Sequence, residues 1–166
     1  MDAVTHVPAP INETVLDYAP GSPERAALEV ALVELSGTKH DLPHTIGGVR
    51  VEGKGPRLEV RQPHAHAKVL GVTRGATKTE AAAAVDAAVA AAPAWRDMAF
   101  DDRAAILLKA ADLLAGPWRA KINAATMLGQ SKTAYQAEID AACELIDFLR
   151  FNAHFAEFIY AQQPDS

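Results

Sequence analysis

One residue stands out among those that could do chemistry, because it is a carboxylate placed among aromatic side chains. On a helix at about 100° per residue, Glu144 falls at the border of a stripe formed by Phe148, Phe151 and Phe155. Burying a carboxylate between rings costs free energy unless a cation pairs with it. That cation is either a protein side chain or a positively charged ligand, and the residues alone leave both readings open.

The other reactive side chains favour structural roles. Cys143 is the only cysteine and lies inside a helical stretch, whereas a catalytic thiol usually lies at a helix N-terminus or beside a basic group, so core packing is expected. His64 and His66 lack the further ligands that a metal site requires and are expected in a solvated turn. Lys132 is weak evidence for phosphate binding. No catalytic residue, cofactor ligand or metal ligand is therefore assigned.

A long helix, predicted over residues 133–161, must position Glu144. This stretch contains neither Gly nor Pro, and its polar residues gather on one face. Asp147 and Arg150 are spaced to pair at i,i+3. The polar face comprises Gln136, Asp140, Asp147, Arg150, His154 and Glu157.

Two further polar residues, Glu138 and Asn152, lie close together on the opposite, apolar side of this helix. We expect a buried polar pair that is satisfied by backbone groups of a neighbouring element. The remaining apolar circumference exceeds what short amphipathic helices in 166 residues can cover. An uncovered apolar surface of that kind typically marks a partner interface.

The first half of the chain predicts an extended arm, a helix and a small sheet. Residues 1–21 are proline-rich and form the arm. Ser22 followed by Pro23 predicts the start of a helix that ends at Gly37. Residues 44–73 predict a small antiparallel sheet. Neither GxGxxG nor GxxxxGK[ST] occurs, so the sequence offers no phosphate cradle.

Three helices precede the long one. Thr77 and Glu80 have capping-box spacing and open an alanine-rich helix through about Ala91, which Pro93 is expected to break. Further helices are predicted from Phe100 to the Gly-Pro pair at 116–117, and over residues 118–128. The fold class is therefore mainly α with a small antiparallel sheet, in which residues 22–166 form a helical segment after the arm.

Composition excludes several classes of function. The net charge of −5 and the pI of about 5.6 argue against nucleic acid or an anionic membrane as a partner. No apolar run reaches the ~18 residues of a membrane span, and the N-terminus lacks the pattern of a secretory signal. A single cysteine suits a reducing compartment, so a cytoplasmic location is expected.

Several motifs together resemble one family over essentially the whole chain. They are AWR at 94–96, DRAAILLKAADLL at 102–114, TMLGQSKT at 126–133, QAEIDAACELIDF at 136–148, RFN at 150–152, QQP at 162–164, and in the arm PAP at 8–10, NE at 12–13 and YAPGS at 18–22. The middle of the chain resembles the start of the aldehyde dehydrogenase superfamily. The later motifs resemble its Δ1-pyrroline-5-carboxylate (L-glutamate γ-semialdehyde) dehydrogenase subfamily.

The resemblance implies an NAD-dependent enzyme of proline catabolism that oxidises L-glutamate γ-semialdehyde to L-glutamate through a cysteine thiolate. It also implies that the chain is the N-terminal part of the aldehyde dehydrogenase fold, ending before the nucleotide-binding parallel sheet. The nucleophilic cysteine would then lie outside these residues. We therefore expect no activity and no bound NAD for the chain alone.

Glu144 matches the subfamily glutamate that lies near the amino-acid end of the substrate, where it can pair with the α-ammonium. The implied partners are the remainder of the dehydrogenase, or further copies through exposed apolar helix faces, with a homo-oligomer as the complete enzyme. Two alternatives stay open: a stand-alone helical interaction module without catalysis, and a piece of another semialdehyde dehydrogenase.

Overall fold

The computed structural model describes residues 7–162 and 164. The first six residues of the predicted arm therefore lie outside the described part, as do residues 163, 165 and 166. Residues 7–21, called the arm below, contain no helix or strand. The elements are α1 Pro23–Gly37, β1 His40–Asp41, β2 His44–Ile46, β3 Val49–Val51, β4 Arg57–Gln62, β5 Ala65–Arg74, α2 Lys78–Asp97, α3 Phe100–Ala115, α4 Arg119–Gln130, α5 Ala134–Ala137, a π-helical turn Glu138–Cys143 and α6 Glu144–Ala161.

The strands form two small sheets. One has the order β1-β5-β4, with β4 antiparallel to β5 and β1 parallel to it. The other is the β2–β3 hairpin, whose turn residues Gly47 and Gly48 have φ of 58° and 79°. Two glycines with positive φ give the turn that the twist of a two-residue hairpin requires. The predicted antiparallel pairing is present, and the short parallel strand β1 makes the larger sheet mixed.

Two glycines allow the segment before β4 to cross the end of β5 at close range. A Cβ added at Gly53 would lie 2.5 Å from the carbonyl oxygen of Arg74, and one added at Gly55 would lie 2.5 Å from that of Gly75. The crossing is closed by backbone hydrogen bonds from Gly55 N to Gly75 O and from Gly75 N to Pro56 O, both 2.9 Å. A side chain at either glycine would force these backbones apart.

We expect Gly55→Ala to lower the free energy of unfolding by about 1–3 kcal/mol, because the new methyl group meets backbone that cannot rotate away. Gly129→Ala is the matched control. A Cβ at Gly129, inside α4, has no neighbour within 4 Å, and alanine favours the helix. Urea denaturation of the two variants measures the difference, and equal stabilities would contradict a tight crossing.

The prediction that Pro93 breaks the second helix is wrong. The helix α2 runs from Lys78 to Asp97 with Pro93 inside it, after the capping box of Thr77 and Glu80 predicted from the sequence. Proline at this position removes the hydrogen bond to the carbonyl of Val89, four residues earlier. Pro93 and Val89 are both exposed, so water can satisfy that carbonyl, and the alanine-rich sequence continues the helix.

The core is divided into three small clusters that all contain alanine. One lies between the arm and helices α3 and α6, a second between the arm and helices α1 and α4, and the third between α3 and the long helix. Ile146 and Ala142 are fully buried in the third cluster. Large apolar side chains of α6 point outwards instead: Phe148, Phe155, Phe158 and Ile159 are 52–64% exposed.

None of the helices in the described part of the chain is long and apolar enough to pass through a membrane.

Candidate functional site

The long helix is interrupted by a π-helical turn, which the sequence did not predict. The predicted continuous helix is replaced by α5, the turn Glu138–Cys143 and α6. The amide of Glu144 donates to the carbonyl of Ile139, five residues back, as in a π-helix. In a π-helical turn, residues five apart point to the same side of the helix. Glu138 and Cys143 therefore both contact the Arg119 guanidinium.

Glu138 is the centre of a buried polar network formed with Tyr18, Asn123 and Arg119. Its carboxylate is fully buried and accepts hydrogen bonds from the Tyr18 hydroxyl and from Asn123 Nδ2, both at 2.7 Å. It also accepts from the Leu16 amide at 2.9 Å and from Arg119 Nε at 3.2 Å, while Arg119 Nη2 makes a further close ion pair with it. The network joins the arm to helix α4 and to the π-helical turn.

In this network, hydrogen bonds and charge pairing shift the pKa values of Glu138 and Arg119 more than burial does. Burial alone would raise the pKa of Glu138, but hydrogen bonds from Arg119, the Leu16 amide, Tyr18 and Asn123 lower it overall. Burial would likewise lower the pKa of Arg119, and its bonds to Glu138 and Glu13 raise it instead. Both groups are therefore charged, and each depends on the other for solvation.

Tyr18 enters the network with a strained backbone. Its φ is 54°, in the left-handed region, where a residue with a Cβ costs roughly 1–2 kcal/mol. Its ring is buried against Leu28 and Ala124, and its hydroxyl lies 2.8 Å from Asn123 Nδ2. Burial, and then the hydrogen bond to Glu138, raise the pKa of Tyr18 to about 12. The contacts of the side chain hold the backbone in this conformation.

A second set of contacts ties the arm to α6. Glu13 pairs with Arg119 Nη1 at 2.7 Å and with Arg150 Nη1 at 2.6 Å. Asp147 accepts hydrogen bonds from Asn12 Nδ2 and from the Glu13 amide, both at 2.7 Å. The predicted i,i+3 pair between Asp147 and Arg150 is therefore wrong, because the arm supplies partners for both residues.

An open groove of about 720 Å³ runs between the arm and the long helix. Glu144 lies on its helical wall, exposed, beside Phe148 and Phe151. The sequence predicted this carboxylate at the border of an aromatic stripe, and in the structure the residues of that stripe line the groove. The groove is lined by Asn12, Glu13, Val15, Ile139, Asp140, Cys143, Glu144, Asp147, Phe148, Phe151, Asn152 and Phe155.

Four carboxylates line the groove, and three of them are already paired. Glu13 pairs with two arginines and Asp147 with the arm, as described above. Asp140 pairs with Lys132 Nζ at 2.7 Å. No residue in the described part of the chain donates a hydrogen bond to Glu144 or forms an ion pair with it. Glu144 is thus the one of these four carboxylates without a partner among the described residues.

The Glu138–Asn152 pair expected from the sequence does not form. Glu138 is satisfied mainly by side chains of the network, not by backbone groups alone, and Asn152 is exposed in the groove. The partners of Glu138 were missed because they come from distant parts of the chain. The Tyr-Ala-Pro-Gly turn at 18–21, which would support a left-handed residue, is the one local signal that could have pointed to Tyr18.

Cys143 is buried, as expected for core packing. Burial, and then the negative charge of Glu138, raise the pKa of its thiol to about 11. Its Sγ lies 3.4 Å from Arg119 Nη2 and 3.6 Å from Glu138 Oε1. A thiol with a raised pKa is a poor nucleophile at neutral pH, because the thiolate is the reactive form.

We expect alkaline pH to destabilise the chain between about pH 9 and 12. The pKa of Cys143 rises from 9.0 to about 11 on folding, and that of Tyr18 from 10.0 to about 12. Each group therefore ionises first in the unfolded chain, so stability falls as pH rises above its unfolded pKa, by up to about 3 kcal/mol for each group.

Urea denaturation from pH 8 to pH 11.5 checks this expectation. In Cys143→Ala, the decline should begin about one pH unit higher, near the unfolded pKa of Tyr18. A stability that stays constant up to pH 11 would contradict the burial of both groups.

The remaining candidates do not form a second reactive centre. His64 lies on the exposed β4–β5 turn, with its Nδ1 2.8 Å from Ser131 Oγ. His66 is also exposed, but it lies in strand β5 and not in the expected turn. Lys132 is engaged by Asp140, as noted above. Among residues 7–162 and 164, no group of three or more His, Cys, Asp or Glu side chains could hold a metal ion.

One strand–glycine–helix connection runs from β5 through Gly75 to α2. The helix N-terminus at its end is already occupied by a side chain. The Glu80 carboxylate accepts there from the Thr77 amide at 2.8 Å and from the Lys54 amide at 3.1 Å. A phosphate at this point would meet the Glu80 carboxylate.

The chain thus has a mainly helical fold with a small mixed sheet and an N-terminal arm. Its long helix lies beside an acidic, aromatic groove. Residues 50–165 match the sequence profile of the aldehyde dehydrogenase family, and the chain belongs to that family. The resemblance noted in the sequence is confirmed, and the fold matches the N-terminal part of the aldehyde dehydrogenase fold.

Similar proteins point to one subfamily. The chain is 45% identical over 163 residues to a Delta-1-pyrroline-5-carboxylate dehydrogenase of Agaricus bisporus, covering 98% of this chain and 30% of that protein. It is 46% identical to the mitochondrial enzyme of the same name from Homo sapiens, covering 93% of this chain and 27% of that protein. The chain thus spans less than a third of the length of these relatives.

A solved structure is closer still in sequence. The Delta-pyrroline-5-carboxylate dehydrogenase of Mycobacterium tuberculosis, bound with NAD and cobalamin, is 60% identical and superposes with a TM-score of 0.97. The similarity covers 100% of this chain and 31% of that one.

Proposed function

We propose that this chain is the N-terminal, substrate-recognising part of an NAD-dependent dehydrogenase that oxidises L-glutamate γ-semialdehyde to L-glutamate in proline catabolism. The observation that carries the proposal is Glu144, a groove carboxylate without a partner among the described residues, set beside phenylalanines. The names of the relatives, and the NAD bound to the Mycobacterium tuberculosis enzyme, support the reaction and the cofactor.

In this proposal, Glu144 binds the α-ammonium of the substrate. The side chain ends in a water-accessible groove, so its charge is not neutralised by the protein. An ammonium placed there forms a charge-assisted hydrogen bond, and the faces of Phe148 and Phe151 stabilise the same charge by cation–π contact. A semialdehyde without an ammonium would gain neither interaction.

The chain contributes binding and orientation but no nucleophile. Its one thiol is buried in the network and faces a carboxylate, as described above. Hydride transfer to NAD, the chemistry that the cofactor supplies when bound, belongs to the remainder of the dehydrogenase. The exposed phenylalanines of α6 are the surface on which that remainder, or a second copy of the chain, would pack.

The test is Glu144→Gln in a fusion of this chain to the C-terminal two-thirds of the Mycobacterium tuberculosis enzyme. We expect kcat/KM for L-glutamate γ-semialdehyde to fall about 10- to 100-fold, the loss of a hydrogen bond between charged groups. For 5-oxopentanoate, which lacks only the α-ammonium, the change should stay under about threefold.

The matched control is Asp140→Asn. It removes another carboxylate of the groove, one that is already paired with Lys132, and should affect both substrates to the same degree. Equal losses for both substrates in Glu144→Gln would remove the recognition role.

A further inference from the structure

We propose that Asn12 of the arm is a specificity-determining residue that supplies the second hydrogen-bond acceptor for the substrate ammonium. This inference rests on the proposed function, because it concerns the group that Glu144 would bind. It assigns a part of the recognition site to a segment that otherwise resembles a simple packing arm.

A primary ammonium carries three N–H donors, and one carboxylate satisfies them incompletely. The rings in the groove wall are weak acceptors. Asp140, Asp147 and Glu13 are held by Lys132, by the arm and by two arginines. The remaining acceptors among the side chains that line the groove are the amide oxygens of two asparagines.

The side-chain amide of Asn12 is oriented by its hydrogen bond to the Asp147 carboxylate. Its Nδ2 lies 2.7 Å from Asp147 Oδ2. An ionised carboxylate can only accept, so the NH₂ group of the amide must face Asp147, and the carbonyl Oδ1 is left without a donor among the described residues. Asp147 follows Glu144 by three residues, which places the two side chains as neighbours on one helix face. Asn12, bonded to Asp147 from the arm, and Glu144, on the helix, therefore line the same part of the groove.

The arm holds Asn12 firmly in this place. The next residue, Glu13, is fixed by its amide to Asp147 at 2.7 Å and by its carboxylate to Arg119 and Arg150. Leu16 and Tyr18 are fixed to Glu138. An acceptor that is ordered before the ligand arrives loses little conformational entropy when it binds, which favours discrimination.

The other free amide, Asn152, lies too far along the helix to share the ammonium. Eight residues separate it from Glu144, about 12 Å of helical rise. A hydrogen bond spans about 3 Å, so one ammonium cannot contact both side chains. Asn152 is exposed in the same groove and has the same chemistry as Asn12, which makes it a matched control.

The experiment measures kcat/KM of the same fusion enzyme for L-glutamate γ-semialdehyde and for 5-oxopentanoate. Asn12→Ala should lower the first about 3- to 10-fold, as expected for one hydrogen bond, and leave the second within about twofold. Asn152→Ala should leave the ratio of the two unchanged. In the Glu144→Gln background, Asn12→Ala should lose most of its effect, because both residues bind one group.

Three outcomes separate the proposals. A selective Glu144→Gln with an Asn12→Ala that affects both substrates equally overturns the role of Asn12 and keeps the proposed function. An Asn12→Ala effect that is undiminished in the Glu144→Gln background also overturns it. A non-selective Glu144→Gln overturns both. Thermal melting of each variant shows whether a uniform loss reflects a loosened arm.

Discussion

Replacing Arg119 with methionine is expected to lower the free energy of unfolding by about 3–5 kcal/mol, the cost of leaving a buried charge without its partner. Arg119 is the main cationic partner of Glu138, whose carboxylate is fully buried, and it also pairs with Glu13. Methionine fills much of the same volume, so the loss reports charge and hydrogen bonding. Urea denaturation at pH 7 measures it.

The double variant Arg119→Met with Glu138→Met is the informative control. Removing both charges removes the uncompensated carboxylate, so the double variant should be more stable than the single one by about 1–3 kcal/mol. The hydroxyl of Tyr18 and the amide of Asn123 keep their mutual hydrogen bond at 2.8 Å. A double variant as unstable as Arg119→Met would show that the cost lies in packing and not in charge.

The second large effect is the difference in the rate of NADH production between the chain and the fusion enzyme. With NAD and L-glutamate γ-semialdehyde, the purified chain of residues 1–166 should produce no NADH above the uncatalysed rate. The fusion should turn over at the 1–10³ s⁻¹ typical of enzymes. The physical reasons are the raised pKa of the buried Cys143 thiol and the filled N-terminus of α2.

Absorbance at 340 nm follows NADH in both samples. A third sample mixes the chain with the separately produced C-terminal part. The exposed face of α6 would give that part a docking surface. Turnover by the chain alone would contradict the division of roles between recognition and chemistry.

Local signals in the sequence identified the helix starts well. Ser22 and Thr77 each cap a helix as predicted, and Thr77 forms a complete capping box with Glu80. Capping depends on residues within one turn, so it can be seen without tertiary information. The aromatic border beside Glu144 was visible for the same reason, because helical spacing alone places those residues together.

Features that depend on distant partners were not predictable in this way. The π-turn is a widened turn held between the buried Glu138 and Cys143, and hydrophobic periodicity does not mark it. The partners of Asp147 and Arg150 come from the arm, more than 130 residues away in sequence. Pro93 was misjudged because its effect depends on exposure, which the sequence did not specify.

The spacing of the arm contacts also sets an order of events during protein synthesis. Tyr18 leaves the ribosome 105 residues before Asn123 and 120 before Glu138, so it cannot adopt its left-handed conformation with these partners at first. At roughly 5–20 residues per second, the delay to Asn123 is roughly 5–20 s. Docking of the arm on the long helix is therefore a late event, and the groove is completed by a segment made well before its partners.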